Sequence, residues 1–526
     1  MVIHYKKRGE LLNEEKQMDG VKTKCASSLS CRLNWSDIDW DKCETGVKKL
    51  QRRIVKAWQE KRYGKVKSLQ YLLTNSFEAK ALAVKRVTSN KGGNTAGVDK
   101  IRWSTPNSKM RAVKSLKKRG YHPLPLKRVF IEKSNGKKRP LGIPTMKDRA
   151  MQSLFLMALE PIAETTADRN SYGFRRKRST ADAVDALHRL LSKGTSPQWI
   201  LEGDIKGCFN HISHDWLLNN IPTDKSILGK WLKCGVIYNK CLSPTEEGTP
   251  QGGIISPTLA NMTLDGMEAL VKERYSARYL KGKSRIYCPK VHLIRYADDF
   301  VVTATDRKTL EDIRKMIIEF LDERGLSLSE EKTVTTHIDE GFDFPGFNVR
   351  KYNGKLLIKP SRKGRKKFTE KLHEIVFRNK AAAQNKLIVQ LNPILTGWGN
   401  YYKHVVSKKI FSNIDHILIL QLKRWAFRRH NNKSRDWCMK RYFKTEGNRH
   451  WCFKCQAFES GKSKIFTLKR LSDIPIVRHV KVKQDANPFD PVWDDYFERR
   501  YKLANLKKEK VRNNLSSRFK SSNFGL

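Results

Sequence analysis

The chain has 526 residues, more than a single hydrophobic core usually serves, so about two to four domains are expected. Lys and Arg number 106 against 53 Asp and Glu, and the net charge of +53 favours a nucleic-acid partner and argues against solubility as its only role. A membrane-surface protein is the alternative, but no transmembrane helix and no secretory signal is predicted, so we expect a cytoplasmic protein without a membrane partner.

The first hundred residues are predicted to be helical after a polar start. Residues 1–34 carry no clear period, which indicates a segment that is poorly ordered or ordered by a partner. From Trp35 to about Val87, apolar residues recur at three- and four-residue steps while Lys and Arg fill the other face. Such helices either face solvent or face RNA. Residues 92–99 are rich in Gly and predict a connector.

The middle of the chain is predicted to alternate strands and helices. An Asn-Gly pair at 135–136 indicates a hairpin turn between two strands. The predicted elements are strands at 124–133 and 137–144, a helix from Met146 to Ile162, a strand from Trp199 to Ile205, a loop from Glu247 to Pro257, a helix from Thr258 to Arg274, a hairpin from His292 to Ala304, a helix from Lys308 to Arg324, and strands at 342–349 and 355–358.

Two adjacent carboxylates lie at the predicted tip of the hairpin. Asp298 and Asp299 are expected in a tight turn, where Asp tolerates unusual backbone angles. Like charges this close repel each other unless a cation lies between them, and polymerase sites usually hold divalent ions with carboxylates and phosphates. Asp204 ends a strongly apolar strand and is the candidate third acid, because an unpaired Asp is costly to bury. Taken singly, the pair also fits a solvated turn, and Asp204 also fits a helix cap.

After about Pro360 the pattern predicts that strands stop and that a more basic, helical chain follows. Residues 361–450 contain 22 Lys and Arg against 5 Asp and Glu. Aromatic residues lie among these cations, an arrangement that suits unpaired bases as well as phosphates. The alternative is that most of the aromatic residues form the core of a helical bundle and that the cations do the binding. The aromatic residues are Trp398, Tyr401, Tyr402, Trp425 and Trp437.

The ten cysteines are scattered along the chain, and free thiols are the expectation for a cytosolic protein. One local cluster comprises Cys438, His450, Cys452 and Cys455. A zinc site there is the alternative, although structural zinc sites usually show two pairs of ligands at regular spacing.

Three motifs follow each other in the order and at the spacing of the reverse-transcriptase palm. They are Asp204-Ile-Lys-Gly-Cys-Phe209, Pro250-Gln-Gly-Gly253 and Tyr296-Ala-Asp-Asp299. Over most of its length the chain resembles the maturase–reverse transcriptases encoded by group II introns. Further segments that carry the resemblance are Lys138-Arg-Pro-Leu-Gly-Ile-Pro144, Gly248-Thr-Pro-Gln-Gly-Gly-Ile-Ile-Ser-Pro257, Arg295-Tyr-Ala-Asp-Asp-Phe300, the thumb-like Leu395-Thr-Gly-Trp-Gly-Asn-Tyr-Tyr402 and Asn487-Pro-Phe-Asp-Pro491.

This resemblance implies an α+β right-hand polymerase with an antiparallel sheet in its fingers and palm, a helical thumb and a small basic C-terminal domain. Many relatives carry an H-N-H endonuclease with paired Cys-x-x-Cys motifs, and because these motifs are not found, no endonuclease is expected. The implied regions are 1–90 for an N-terminal extension and basic RNA-binding helices, 91–200 for the fingers, 201–360 for the palm with the catalytic site, 361–440 for the helical thumb or maturase domain, and 441–526 for a basic DNA-binding region.

The resemblance also implies roles for residues in catalysis. Asp204, Asp298 and Asp299 match the acids that bind two Mg²⁺ ions. Lys133 and Arg139 match the fingers cations that hold the triphosphate of a dNTP.

Further roles are implied for the nucleotide pocket and the primer. Phe209 matches the aromatic residue that excludes a ribose 2′-OH, and Gln251 matches a residue that lines the nucleotide pocket. Lys332, Gly346 and Phe347 resemble positions near the primer terminus. Pro345 stands where relatives usually have Leu and is expected to weaken a strand pairing there.

The implied activity is RNA-directed DNA polymerisation. The implied partners are one structured group II intron RNA, a target DNA and dNTPs, with splicing assistance and retrohoming in the bacterial cytoplasm or at the nucleoid. Two alternatives are a maturase that only assists splicing, marked by decayed acids, and a reverse transcriptase of a defence or diversity system, which usually lacks the full thumb and DNA-binding extension. The acids and fingers cations are all present, which favours the polymerase.

Overall fold

The computed structural model describes residues 34–521 apart from 133–135, 137, 250, 280–285, 448 and 460. Helices and sheets are mixed along the chain, as expected of the α+β class. Lys133, a predicted dNTP contact, lies outside the described residues. None of the helices within the described ranges is both long and apolar enough to cross a membrane.

Four helices form the N-terminal layer: α1 (Trp40–Gln59), α2 (Tyr63–Asn75), α3 (Phe77–Thr88) and α4 (Pro106–Ser115). The carboxylate of Asp39 caps α1 by accepting from the backbone nitrogen of Lys42 at 2.9 Å. The apolar faces of α1 and α3 pack against α5 (Met146–Thr166), which is buried along most of its length. The helical prediction for 35–87 is confirmed, as three separate helices.

The next part of the chain forms a four-stranded sheet with short helices beside it. Its elements are β1 (Leu126–Glu132), β2 (Lys138–Ile143), α6 (Thr180–Leu191), β3 (Trp199–Asp204), α7 (Cys208–His211), α8 (His214–Asn220), α9 (Lys225–Leu232), β4 (Val236–Tyr238) and β5 (Cys241–Ser243). The sheet has the order β2-β1-β4-β5, and β1 and β2 form the predicted antiparallel hairpin. Strand β3 is not part of this sheet and belongs to a second one.

The second, central sheet is antiparallel and has the order β10-β3-β9-β8. The elements that build and cover it are α10 (Ser256–Leu264), α11 (Met267–Tyr275), β6 (Arg278–Tyr279), β7 (Ile286–Tyr287), β8 (His292–Tyr296), β9 (Asp299–Ala304), α12 (Arg307–Asp322) and β10 (Val334–His337). Both faces are buried, since Leu201 joins the core of the N-terminal layer and Ile200 joins the core that continues to the C-terminal helices. The helix predicted at 258–274 is interrupted before Met267, where Gly266 has a φ of +100°.

A three-stranded sheet follows, formed by β11 (Phe342–Phe344), β12 (Phe347–Tyr352) and β13 (Lys355–Pro360). The single strand predicted at 342–349 is therefore a hairpin. Pro345 and Gly346 form its turn, and Gly346 has a φ of +87°, which fits a type II turn with Pro first and Gly second. The expectation that Pro345 weakens a strand pairing was wrong, because Pro345 lies between the strands.

The strands do not stop after Pro360, contrary to the prediction. The helices α13 (Arg362–Arg378), α14 (Gln384–Tyr402), α15 (Lys408–Arg429) and α16 (Arg435–Tyr442) precede the strands β14 (Phe443–Glu446), β15 (Arg449–Glu459) and β16 (Lys462–Thr467). Phe453 and Phe466 pack into the same core as Trp425 of α15. The many cations between these apolar residues conceal the strand period in the sequence.

The chain then runs back over the earlier layers. Residues 476–500, here called the C-terminal strap, include the start of α17 (Asp494–Ser521). Gln484 Nε2 donates to Asn170 Oδ1 at 2.7 Å, and Val482 is buried in the core shared with the central sheet. The segment predicted as a separate C-terminal domain therefore shares its core with the preceding layers.

Candidate active site

Three carboxylates meet at one edge of the central sheet. Asp204 ends β3 and Asp299 begins β9, and the two residues are directly paired in the antiparallel register. Side chains of directly opposed residues project to the same face of a sheet. Asp298 immediately precedes Asp299, in the two-residue turn that follows Tyr296. The structure therefore brings the three predicted acids together.

The pKa values of these acids show that their charges interact. Burial raises the pKa of Asp299 to about 7, and the negative charges of Asp298 and Asp204 shift it in the same direction. Burial also raises the pKa of Asp298, and Asp204 adds to this shift, whereas Arg139 and Lys332 lower it. The edge of the sheet thus holds an excess of negative charge that favours a cation.

Lys332 supplies one cation to this edge from within the chain. Its Nζ donates to Asp204 Oδ2 at 2.7 Å, and this hydrogen bond raises the pKa of Lys332. The sequence placed Lys332 near the primer terminus, and the structure places it beside an acid.

The turn that carries Asp298 has an unusual backbone at its first residue. Ala297, and not either Asp, has a positive φ of +59°, which differs from the expectation that Asp would adopt the unusual angle. Such a conformation costs a non-glycine residue free energy and persists only where the surroundings fix it. Here Gly173 lies against the turn, and a Cβ built on Gly173 would overlap the backbone nitrogen of Ala297.

A buried polar network lies beneath the turn, and sequence reasoning missed it. Arg295 is fully buried and forms an ion pair with Asp265. Its Nη1 donates to Asn261 Oδ1 at 3.2 Å, and Asn261 Nδ2 donates to the carbonyl oxygen of Gly173 at 2.8 Å. The signal in the sequence was an Arg within an apolar strand, because buried charges are paired.

A second group of predicted residues gathers around the loop after β5. Arg139 Nε donates to Gln251 Oε1 at 3.1 Å, and the backbone nitrogen of Gly142 donates to the carbonyl oxygen of Gln251 at 2.7 Å. Gly252 has a φ of +119°, and a Cβ there would lie 2.6 Å from the carbonyl oxygen of Gly142. Only glycine allows this close approach of loop and strand.

Phe209 faces a cavity of about 400 Å³ that Gln251 also lines. Phe209 lies on the short helix α7 with 9% of its surface exposed, and its ring meets that of Phe174 edge to face at 6.2 Å. Phe130 lines the same cavity from β1. The structure therefore places two of the predicted dNTP contacts, Phe209 and Gln251, at one cavity.

A separate cavity of about 400 Å³ joins the acids to the predicted primer region. Asp204, Asp299, Lys332 and Gly346 all line it. Glu202 lines it as well and was missed, although it lies two residues before Asp204 and so on the same face of β3. Burial raises the pKa of Glu202 to about 7.

Two tyrosines of α14 hold the turn at Gly346. Tyr402 Oη donates to the carbonyl oxygen of Gly346 at 3.0 Å, and Tyr401 Oη donates to that of Pro345 at 2.9 Å. Phe347 is fully buried and stacks on Tyr401 with ring centroids 5.2 Å apart. The thumb-like motif in the sequence thus packs directly on the predicted primer region.

Carboxylate oxygens are the protein ligands that Mg²⁺ prefers, so the donor set at the sheet edge fits this ion. Burial is the largest cause of the raised pKa values of Asp298 and Asp299, and the repulsion between the acids adds to it. A divalent cation would relieve that repulsion. Across the described ranges, no three His, Cys, Asp or Glu side chains lie close enough to hold one metal ion, so Asp204, Asp298 and Asp299 share the sheet edge without forming such a group.

The zinc alternative for the cysteine cluster is likewise not supported within those ranges. Cys438 is buried in the core, and the cysteines that the structure describes, Cys452 and Cys455 among them, are free thiols as expected.

Three family models match successive parts of the chain. The N-terminal domain of reverse transcriptase matches residues 35–116, the reverse transcriptase (RNA-dependent DNA polymerase) matches 131–349, and the group II intron maturase-specific domain matches 365–443. Asp204, Asp298 and Asp299 all lie within the second of these matches.

Curated relatives show the same similarity. Protein YkfC of Escherichia coli is 33% identical over 346 residues, which cover 59% of this chain and 88% of that protein. The group II intron-encoded protein LtrA of Lactococcus lactis is 30% identical over 378 residues, covering 58% of this chain and 62% of LtrA. A solved telomerase from Candida albicans aligns with 61% of this chain and 64% of its own at a TM-score of 0.33 and 13% identity, a likeness too slight to argue from.

Proposed function

The chain belongs to the reverse transcriptases encoded by group II introns and carries their maturase domain, and on that premise we propose that Asp204, Asp298 and Asp299 are the acids of its RNA-directed DNA synthesis. The observation that supports these three residues is the register pairing of Asp204 with Asp299 beside Asp298 in the turn. Nucleotide addition is a phosphoryl transfer, and positioned charge is its main requirement.

The three carboxylates would hold two Mg²⁺ ions, which supply charge neutralisation at the attacking and leaving oxygens. Lys332 orients the carboxylate of Asp204 through its hydrogen bond. Burial of the sheet edge limits water and so strengthens each interaction with the triphosphate.

The dNTP and the primer occupy the two cavities. Arg139, held by Gln251, directs positive charge at the triphosphate. Lys133, which lies outside the described residues, acts with it in this proposal. Phe209 fills the space that a ribose 2′-OH would need. Gly346 and Phe347, held by Tyr401 and Tyr402, support the primer terminus.

The partners of the whole protein follow from the maturase domain and the charge. The domain at 365–443 and the N-terminal helices bind a structured intron RNA through phosphate and shape contacts and assist its splicing. The polymerase then copies the inserted intron at a DNA target by retrohoming, at the bacterial nucleoid. Since the chain covers 62% of LtrA, these partners are proposed and not transferred from that relative.

Primer extension on an RNA template with Mg²⁺ tests the site. The full chain should make cDNA, and the Asp298→Ala/Asp299→Ala variant should lose at least about a hundredfold in rate, because the charge stabilisation of the transferring phosphoryl group is gone. RNA binding measured in parallel should stay unchanged, which shows that the variant is folded. Equal extension by the variant would contradict the assignment of these acids.

A further inference from the structure

A cavity of about 190 Å³ opens between two helices of the maturase domain, away from the carboxylates. α13 lines it with Phe377, among others, and Lys380 lines it from the turn that follows this helix. α15 lines it with Gln421, Arg424 and Arg428, whose spacing of three and four residues places them on one helix face. Neither of the predicted nucleotide or primer cavities shares a residue with it.

The lining of this cavity is cationic. It contains Lys380, Arg424, Arg428 and Arg429 and no acidic side chain. Arg429 is engaged locally, since its Nη1 donates to the carbonyl oxygen of Ala382 at 2.7 Å. The side chains of Arg424 and Arg428 form no hydrogen bond or ion pair with the described part of the chain. Like charges one helical turn apart repel each other, so an anion between them would be stabilising.

One polar atom in the lining lacks a partner. Gln421 Oε1 is buried and accepts no hydrogen bond from the residues that the structure describes. An unmet buried acceptor lowers stability, and a ligand that brings an N–H group to it would remove that loss. Gln421 therefore holds one unmet acceptor, with almost no exposed surface, in the wall of the cavity beside several cations.

The cavity also offers an aromatic face. Phe377 is 49% exposed, and Lys380 Nζ lies 3.9 Å from the centroid of its ring. The cavity volume is about six times the roughly 30 Å³ that one water occupies in the liquid, so it admits a ring. Cations beside an exposed aromatic ring are typical of sites for unpaired nucleotides, in which a base stacks and its phosphate is neutralised.

We propose that this cavity binds one unpaired nucleotide, with its phosphate at Arg424 and Arg428, its base against Phe377, and an exocyclic amino group donating to Gln421 Oε1. The proposal rests on the proposed RNA-binding role of the maturase domain and adds a base preference to it. Adenine, cytosine and guanine carry an exocyclic amino group, whereas uracil does not. Cytosine is therefore bound in preference to uracil.

Fluorescently labelled 12-nucleotide homopolymers test the preference by equilibrium binding to the full chain. Oligo(rC) should bind about three- to tenfold more tightly than oligo(rU), the difference that one hydrogen bond supplies. Gln421→Met should bring that ratio close to one. Arg424→Ala/Arg428→Ala should weaken both ligands and reduce the slope of log affinity against log salt by about 0.7 for each phosphate that is no longer neutralised.

Matched control variants show whether the changes in binding are specific to the residues of this cavity. Gln390, which hydrogen-bonds to Asn379 outside the cavity, is the control for the amide, and Gln390→Met should leave the ratio unchanged. Arg378→Ala, on α13 and paired with Glu374, is the control for loss of charge. Thermal melting checks that each variant is folded.

Two outcomes would overturn the proposal: a ratio of one for the parent chain, or an unchanged ratio in folded Gln421→Met. Oligo(dC) identifies the source of the nucleotide. Weaker binding than oligo(rC) assigns an RNA loop, and equal binding extends the same site to an unpaired DNA strand. The assay contains no polymerisation step, so its failure is separate from a failure of the primer-extension test.

Discussion

Phe209 presents only a small part of its ring to the cavity that it shares with Gln251. The ring is held edge to face by Phe174, so its position is fixed by packing and not by a hydrogen bond. A fixed ring of this kind can exclude a hydroxyl group by its volume alone.

Phe209→Val should therefore raise ribonucleotide incorporation relative to deoxynucleotide incorporation by about ten- to a hundredfold. The physical reason is the space that the lost ring leaves beside the sugar. The measurement is the ratio of kcat/KM for each rNTP and its dNTP. Phe130→Val, in the same cavity, is the matched control, and an equal change in both variants would remove the gate role from Phe209.

His404 follows the tyrosine pair of α14 and is a titratable residue enclosed by aromatic rings. Burial lowers the pKa of His404 to about 4, and the nearby His479 contributes in the same direction. Its ring lies 5.4 Å from that of Phe347, and its Nε2 is buried without a partner among the described residues. The folded protein therefore keeps this imidazole neutral.

Acid should destabilise the protein partly through this residue. Between pH 6.5 and 4 the unfolded chain takes up a proton at His404 that the folded chain does not, so the free energy of unfolding falls as the pH falls. His404→Gln should lose up to about 3 kcal/mol less on acidification than the parent. Denaturant unfolding at pH 7 and pH 4.5 gives the difference, and an identical loss in both proteins would contradict the argument.

At the scale of elements, the hairpin of β8 and β9 depends on a neighbouring segment that no sequence pattern places beside it. The backbone nitrogen of Tyr172 donates to the carbonyl oxygen of Arg295 at 2.9 Å, so residues 170–174 extend the sheet edge. Gly173 then lies against Ala297, where no side chain fits. The position of Asp298 is therefore set by both segments.

Gly173→Ala should reduce primer extension by about a hundredfold, because its Cβ displaces the turn that carries the acids by a fraction of an ångström or more. RNA binding should change little, since the three atoms nearest to a Cβ on Gly173 all belong to Ala297 and none belongs to the N-terminal helices or the maturase domain. Gly194→Ala is the matched control, because a Cβ there meets no atom within 4 Å. Equal activity of the two variants would show that the turn tolerates the shift.

The local elements were largely predictable from the sequence, because their signals are local. The strand that ends at Asp204 and the hairpin from His292 to Ala304 have continuous apolar and β-branched residues, and the structure confirms both. The order of the motifs predicted that the strand and the hairpin would bring their acids to the same edge of the sheet. The positive φ of Ala297 was not predictable, because it depends on Gly173, more than 120 residues earlier.

The predictions that failed concern elements whose structure is determined by tertiary contacts. Strands β14–β16 were missed, because Lys and Arg occupy many of their exposed positions and Phe453 alone gives little period. The roles of Phe209, Gln251 and Lys332 remain predictions, and the structure adds only their shared cavities and hydrogen bonds.

At the scale of the whole molecule, the C-terminal strap is bound to α6, about 300 residues earlier in the chain, at Asp182. This carboxylate is fully buried, and its Oδ1 accepts from the backbone nitrogen of Val482 at 2.8 Å and from Arg500 Nη2 at 2.9 Å. His479 Nε2 lies 2.8 Å from the same oxygen. Burial alone would raise the pKa of Asp182, but the hydrogen bond from His479 and the other partners hold that pKa below its usual value.

Asp182→Ala should lower the free energy of unfolding by about 3 kcal/mol or more, because it leaves buried donors of the strap unpaired. Hydrogen exchange should rise in residues 476–500 and in α6 together. Asp185→Ala is the matched control on the same helix, since Asp185 forms an exposed ion pair with Arg189 worth about 0.5 kcal/mol. Equal losses of stability in the two variants would contradict a joining role for the strap.

The strap also determines when, during synthesis, the protein can complete its fold. A ribosome releases the chain from its N-terminus, so Asp182 is made about 300 residues before Val482, and Arg52 about 440 residues before its partner Asp494. Until then the donors of the strap to Asp182 Oδ1 do not exist, and the carboxylate has its local partners, the backbone nitrogen and hydroxyl of Ser179. The core that Val482 completes is open to water over the same interval. A premature stop codon upstream of His479 would therefore leave Asp204, Asp298 and Asp299 in the chain but the fold incomplete.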